Sequence, residues 1–116
     1  MIRYMRQVLF FDLPTETSEE RRNYRRFRKF LLSEGFLMLQ FSVYSKLSLN
    51  DEQAKSIRRR IEENKPPGGS VLLLKVTEKQ FAKMDYIVGD KLEYLTDSME
   101  RVLFLGIDPR EEFNDD

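Results

Sequence analysis

The chain has no cysteine and no histidine among its 116 residues. The first absence excludes a disulfide framework, zinc–thiolate sites and a cysteine nucleophile. The second removes the commonest general base and the commonest metal ligand. Any catalysis therefore falls to carboxylates, hydroxyls, Lys, Arg or Tyr. No stretch approaches the ~20 apolar residues that span a bilayer, so no membrane partner is expected. Met1 to Arg6 lead into no long apolar run with a cleavage site. That argues against a signal peptide and makes a cytoplasmic protein the expectation. Internal repeats and low-complexity linkers are also missing.

What is present suits one domain. At this length two hydrophobic cores do not fit comfortably. Apolar residues make up 41% and charged residues 34%. A charged fraction that high must mostly lie at the surface. The formal net charge is zero, but it is unevenly spread. Residues 1–65 carry 14 Lys/Arg against 9 Asp/Glu, and residues 66–116 carry 6 against 11. Such local concentration says more about partners than the average does.

Val8-Leu9-Phe10-Phe11 reads as a buried strand, ended by Asp12-Leu13-Pro14. Thr17 and Glu20 have the spacing of a capping box, predicting a helix to about Glu34 with Gly35 as its stop. Phe36 to Leu47 is rich in β-branched and aromatic residues and long enough to bend or split into two strands. Asn50 and Gln53 suggest a second helix start, running to about Asn64. Pro66-Pro67-Gly68-Gly69 breaks the chain. Val71 to Val76 is a further strand. Thr77 with Gln80 predicts a short helix through Phe81 and Met84, ending near Gly89. Arg101 to Leu105 reads as a last strand, closing a domain over residues 1–106. Residues 107–116 form an acidic tail. Strands alternating with two sizeable helices imply an α+β fold, compatible with a ferredoxin-like antiparallel sheet with helices on one face. The other face would be left for dimerisation.

The first helix carries the most information. On a helical wheel Tyr24, Phe27, Phe30 and Leu31 share a face. Arg21, Arg22, Arg25, Arg26, Arg28 and Lys29 are expected on the opposite half. Six cations so close repel one another at i,i+3 and i,i+4. A helix needing only solubility would intersperse Glu, whereas Glu19 and Glu20 sit in the first turn, where the macrodipole favours them. Arg suits bidentate phosphate contact. The stripe is therefore a candidate nucleic-acid surface, and a solvated basic face is the ordinary alternative. The second helix repeats the theme through Lys55, Arg58 and Arg59, opposite Ala54, Ile57 and Ile61. Such contacts read backbone rather than sequence.

Asp12, at a strand end, is the one carboxylate placed for chemistry. Alone it makes no Mg²⁺ site, because Mg²⁺ usually takes one or two carboxylates with waters and phosphate oxygens. Two Asp12 side chains across a dimer axis could supply it. The alternative is a turn Asp bonded to its own backbone. Asp85 and Asp90 could join such a site, though nothing in the sequence places them there. Tyr44 and Ser45 could orient a phosphate. Phe41 reads as core rather than as a base-stacking platform. Gly68-Gly69 lacks the Lys-Ser/Thr of a P-loop and reads as a turn.

Several segments resemble one family. Val8-Leu9-Phe10-Phe11-Asp12 is similar to the opening strand of the second CRISPR-associated protein family, which ends on an Asp. Gln40-Phe41-Ser42-Val43-Tyr44 resembles that family's Gln-x-Ser-Val-Phe/Tyr signature. Phe27 to Phe36, Gln40 to Leu47 and Val76-Thr77-Glu78-Lys79-Gln80-Phe81 resemble its type II version. The resemblance spans residues 4 to 106. It implies a ferredoxin-like domain and a symmetric homodimer in which C-terminal strands add to the partner's sheet. It further implies a complex with the integrase, the first CRISPR-associated protein, that captures short duplex DNA as new spacers. The type II version implies contacts to the effector nuclease and a ring-shaped adaptation protein. Family members have been described as Mg²⁺-dependent ribonucleases or deoxyribonucleases, which makes Asp12 the candidate catalytic and metal residue.

Three readings stand open. One is a dimeric scaffold for duplex DNA. Another is a metal-dependent phosphodiesterase acting through paired Asp12. The third is an unrelated RNA-binding or ligand-sensing ferredoxin-like domain, for which exposed strand aromatics would be expected. The lack of histidine and the scarcity of strand-end carboxylates favour the scaffold.

Overall fold

A computed structural model describes residues 4–89. The expected strand at Arg101 to Leu105, the boundary at residue 106, the acidic tail and Asp90 lie outside them. The described elements run β1 (Met5–Asp12), α1 (Ser18–Ser33), β2 (Leu37–Gln40), β3 (Val43–Ser48), α2 (Asp51–Glu63), β4 (Ser70–Thr77) and α3 (Glu78–Ala82). The four strands form one sheet in the order β2-β3-β1-β4, with every neighbouring pair antiparallel. This is the α+β arrangement that the βαββαβ order predicts.

β1 is central and paired on both sides, so its alternation organises the domain. Leu9 and Phe11 join Tyr24, Phe27 and Leu31 of α1 and Ile57 and Ile61 of α2 in a single core. Both long helices therefore cover the same face of the sheet. The intervening positions, Arg6, Val8, Phe10 and Asp12, project to the opposite face. There Phe10 pairs across to Leu72 and Val8 to Leu74. Leu72 is 61% and Leu74 51% exposed. The apolar surface expected on the uncovered face is thus present at its β4 side.

Local signals account for most boundaries. Thr17 Oγ1 accepts from the Glu20 N–H at 3.0 Å, and Glu20 Oε1 accepts from the Thr17 N–H at 3.1 Å. This reciprocal capping box satisfies two of the helix's orphan donors. Asn50 Oδ1 accepts from the Gln53 N–H at 2.8 Å at the start of α2. Thr77 and Gln80 form a second capping box. The expected split of the second strand region is real: a bulge falls between Met38 and Gln40, and Ser42 turns the chain at φ 67°. One expectation fails here. α3 ends at Ala82, well before Gly89. Met84 and Tyr86 are partly exposed and Ile87 and Val88 almost fully so, so no packed apolar face prolongs the helix.

α3 sits apart from the other helices. Arg6 is only 3% exposed. Its Nε and Nη2 donate to Glu78 Oε1 and Oε2 at 3.0 and 2.5 Å, and its guanidinium lies 4.5 Å from the Phe81 ring centroid. The carboxylate and the ring compensate for burying the guanidinium, although its Nη1 is buried without a hydrogen-bond partner among the described residues.

At the far end of α1, Gly35 adopts φ 99°, and a Cβ there would stand 2.7 Å from Lys46 Nζ. Arg60 Nε donates to Glu34 Oε1 at 2.8 Å, joining the ends of α2 and α1. Lys46 lies among these groups. Its pKa falls below the ordinary 10.5, first because burial disfavours the cation and further because Arg60 repels it, while Glu34 opposes the shift. The folded chain thus holds this proton less tightly than the unfolded chain. Lys46 is a liability while it is charged in both states, and its contribution improves as pH rises from the folded pKa to 10.5. Lys46→Met keeps the aliphatic stem and removes the half-buried charge. Its melting temperature should equal or exceed that of the parent at pH 7, with the advantage shrinking in alkaline buffer. Thermal melts of both proteins across pH 7–11 check this.

Candidate nucleic-acid interface

The cations of α1 divide into two groups. Arg22, Arg26 and Lys29 are exposed, whereas Arg21, Arg25 and Arg28 are half-buried. The expectation that all six lie opposite the apolar face is corrected accordingly. At about 3.6 residues per turn, Arg21 and Arg28 fall at the border of the face led by Tyr24 and Leu31. Arg21 is also committed locally, since its Nη1 donates to the carbonyls of Thr15 and Glu16 at 3.2 and 3.1 Å. The free stripe, Arg22-Arg26-Lys29, has i,i+4,i+7 spacing and lies along one line of the helix. On α2, Lys55, Arg58 and Arg59 are exposed. Arg60 is taken by Glu34.

Asp12 is exposed at the last paired position of β1, opposite Ser70. Its peptide is fixed by close packing. A Cβ on Gly69 would come within 2.7 Å of the Asp12 carbonyl oxygen and 2.6 Å of Leu13 Cδ2, and Gly69 has φ 86°. Only glycine fits where the two backbones approach so closely. Among the described residues no three His, Cys, Asp or Glu side chains converge on a point that could hold a metal ion. Asp85 is exposed beyond α3 and joins no such group. Among the described residues Asp12 is the carboxylate at the end of β1, and a lone carboxylate does not by itself fit a resident Mg²⁺.

Three other expectations change. Tyr44 and Ser45 are 0% and 1% exposed, so neither faces a phosphate. Tyr44 stacks on Phe11 at 5.7 Å within the core. Phe41, read as core, is 57% exposed at the β2–β3 turn. Its polar neighbours Gln40 and Ser42 were the signal that a turn, and not a strand interior, begins there. The Arg6–Glu78 clasp left no local trace, because 72 positions separate its partners.

A shallow cleft of ≈ 320 Å³ lies between the β1–α1 and α2–β4 connections, and Asp12 is not part of its lining. Leu13 and Pro14 on one side and Pro66 and Pro67 on the other form its walls, with Glu19, Glu20 and Asn23 at the rim.

The chain's relatives share this layout of sequence. A family model described as "CRISPR associated protein Cas2" matches residues 5–84. The chain belongs to the Cas2 family. A protein of Streptococcus mutans named CRISPR-associated endoribonuclease Cas2 is 55% identical over 102 residues, covering 88% of this chain and 94% of the relative. A Treponema denticola protein of the same name is 55% identical over 102 residues, covering 87% and 100%. One from Ligilactobacillus salivarius is 46% identical over 101 residues, with the same coverage. The matched region includes Asp12, the whole α1 stripe, Arg58 and Arg59.

A change at Gly69 should be felt at Asp12. Gly69→Ala must push the Asp12 carbonyl and Leu13 aside as well as adopt a left-handed backbone. A loss of about 1–3 kcal/mol is expected, measured by urea unfolding, with little change in the slope against denaturant.

Proposed function

We propose that the chain is a subunit of CRISPR spacer acquisition, a dimeric scaffold that binds duplex DNA along its backbone and bridges integrase subunits. Membership of the Cas2 family supports the adaptation role. The observation that carries the DNA reading is the line of three exposed cations, Arg22, Arg26 and Lys29, with no acidic side chain between them on that line. Lys and Arg presented this way neutralise phosphates irrespective of base sequence. A two-fold dimer would present the stripe twice, which suits a duplex lying across the axis. The exposed Phe10, Leu72 and Leu74 provide apolar area for such a dimer on the face that α1 and α2 leave uncovered. In this reading the partners are a second copy, duplex DNA and the integrase, with the type II effector nuclease and a ring-shaped adaptation protein as further contacts.

Reversal of Arg22, Arg26 and Lys29 to Glu tests it. Binding of two unrelated duplexes should weaken alike, and the slope of log affinity against log salt should flatten by about one unit per lost contact. The melting temperature should hold, because none of the three touches the core. Light scattering should give about twice 13.9 kDa for the parent. Unchanged affinity and salt slope in a folded mutant would reduce the stripe to a solvated face.

Asp12 favours a second reading, compatible with the first. Its exposed carboxylate at a strand end, and the word endoribonuclease in the names of the relatives, support a phosphodiesterase site formed by two chains. Two such carboxylates reach the number Mg²⁺ usually takes, and the ion would supply water activation and charge neutralisation. Asp12→Ala should then abolish Mg²⁺-dependent cleavage of RNA or DNA while duplex binding persists. Full cleavage by the variant would take Asp12 out of the chemistry.

A further inference from the structure

Phe41 is the most exposed aromatic side chain among the described residues. Its exposure is not the looseness of a slack turn. The Phe11 N–H donates to the Ser42 carbonyl at 3.0 Å, pinning the β2–β3 turn to the central strand. Ser42 adopts φ 67°, a left-handed conformation that is uncommon for a residue with a Cβ. A strained residue persists only where its surroundings over-determine it, and such residues gather at functional sites. Here the strained residue is the one that follows Phe41.

The register fixes what lies beside the ring. Phe10 pairs with Val43, and the Phe11 bond to Ser42 continues that register. Phe41 precedes the residue bonded to Phe11, and Asp12 follows Phe11, so both leave the sheet at the same end. Asp12 itself pairs with Ser70. An exposed carboxylate and an exposed hydroxyl are thus paired at this end of the sheet, with the exposed ring on the turn that is bonded to β1 there. α1 begins six residues after Asp12, which brings the free cation Arg22 to the same end of the molecule.

We propose that Phe41 is a stacking platform for an unpaired nucleobase, so that this end of the sheet receives a frayed or single-stranded stretch of nucleic acid rather than the interior of a duplex. The inference rests on the nucleic-acid reading above and specifies the ligand's form. A base offers a π-face to the ring and N–H donors at its edge to the Asp12 carboxylate. An apolar protein surface laid over Phe41 would desolvate Asp12 with no donor to meet it, which is costly. The chemistry therefore favours a base over a protein contact. A duplex interior cannot serve, because its bases are already stacked and their edges paired.

The chain contains no tryptophan, so Phe41→Trp creates a single fluorescent reporter at the site. The full chain carrying this change is titrated with a blunt duplex, the same duplex with unpaired tails, and the tail sequence alone. Trp emission should be quenched by the tailed duplex and by the tail, and much less by the blunt duplex. In parallel, Phe41→Ala should lose roughly tenfold in affinity for the tailed duplex and nothing for the blunt one. Both variants should melt with the parent, since the ring is mostly exposed. The proposal is overturned if the emission ignores nucleic-acid form, or if Phe41→Ala binds tailed and blunt duplexes as the parent does. It is equally overturned if Phe41→Ala alters the mass by light scattering, which would make the ring a contact between copies. Failure of the underlying reading looks different: blunt-duplex binding would then also be insensitive to reversal of Arg22, Arg26 and Lys29.

Discussion

Phe11 meets three rings at once. Tyr24 and Phe27 of α1 approach it edge-on at 5.7 and 5.5 Å, and Tyr44 of β3 stacks on it at 5.7 Å. Such pairs add about 0.5–1.5 kcal/mol each beyond the area they bury. The rest of the molecule depends on this cluster because β1 lies between β3 and β4 and carries Phe11 into the core beneath α1 and α2. Seating Phe11 inward fixes the pleat of β1, and the pleat sends Asp12 to the opposite face. The same seating fixes the roll of α1. With Tyr24 and Phe27 held against Phe11, the line of Arg22, Arg26 and Lys29 has only solvent to face. The carboxylate and the cations are therefore placed by one hydrophobic contact that contains neither.

The sequence reveals elements best where local chemistry decides them. Thr17 with Glu20, Asn50 with Gln53 and Thr77 with Gln80 each mark a helix start, because the capping side chain and its target lie three residues apart. Pro66 to Gly69 mark a turn for equally local reasons. Periodicity recovers Tyr24, Phe27, Leu31, Ala54, Ile57 and Ile61 as buried stripes. What it misses is set by distant partners. Arg6 is buried because Glu78 and Phe81 come to it, and neither is near in sequence. Tyr44 and Ser45 look available in a signature motif, yet strand pairing turns both out of reach of solvent. Phe41 is the reverse case, an aromatic residue in a β-rich stretch that the bulge before Gln40 and the turn at Ser42 lift out of the core.

The candidate site is legible to a similar depth. Composition and spacing identify Asp12 and the α1 cations as the residues to examine. They do not separate the exposed three from Arg21, which is engaged with the carbonyls of its own loop, or from Arg25 and Arg28 at the half-buried border. Nor do they indicate that Gly69, in the connection before β4, lies against the Asp12 peptide. A wheel assigns direction but not depth, and depth here is decided by how closely α1 lies on the sheet.

Thr77 is at once the last residue of β4 and the N-cap of α3. No linker separates the strand from the helix. Among the described residues β4 is an edge strand, and a strand paired on one side can slip in register. A slip of one residue would carry Thr77 away from Met5 and draw Glu78 off Arg6 together. The clasp therefore works as a ratchet pawl on the edge of the sheet. It converts a sliding error, which the ladder alone would resist only weakly, into the breaking of an ion pair whose guanidinium is buried. An edge held to one register offers an incoming strand a single alignment, so selectivity for what can be added there is already written into the position of one threonine.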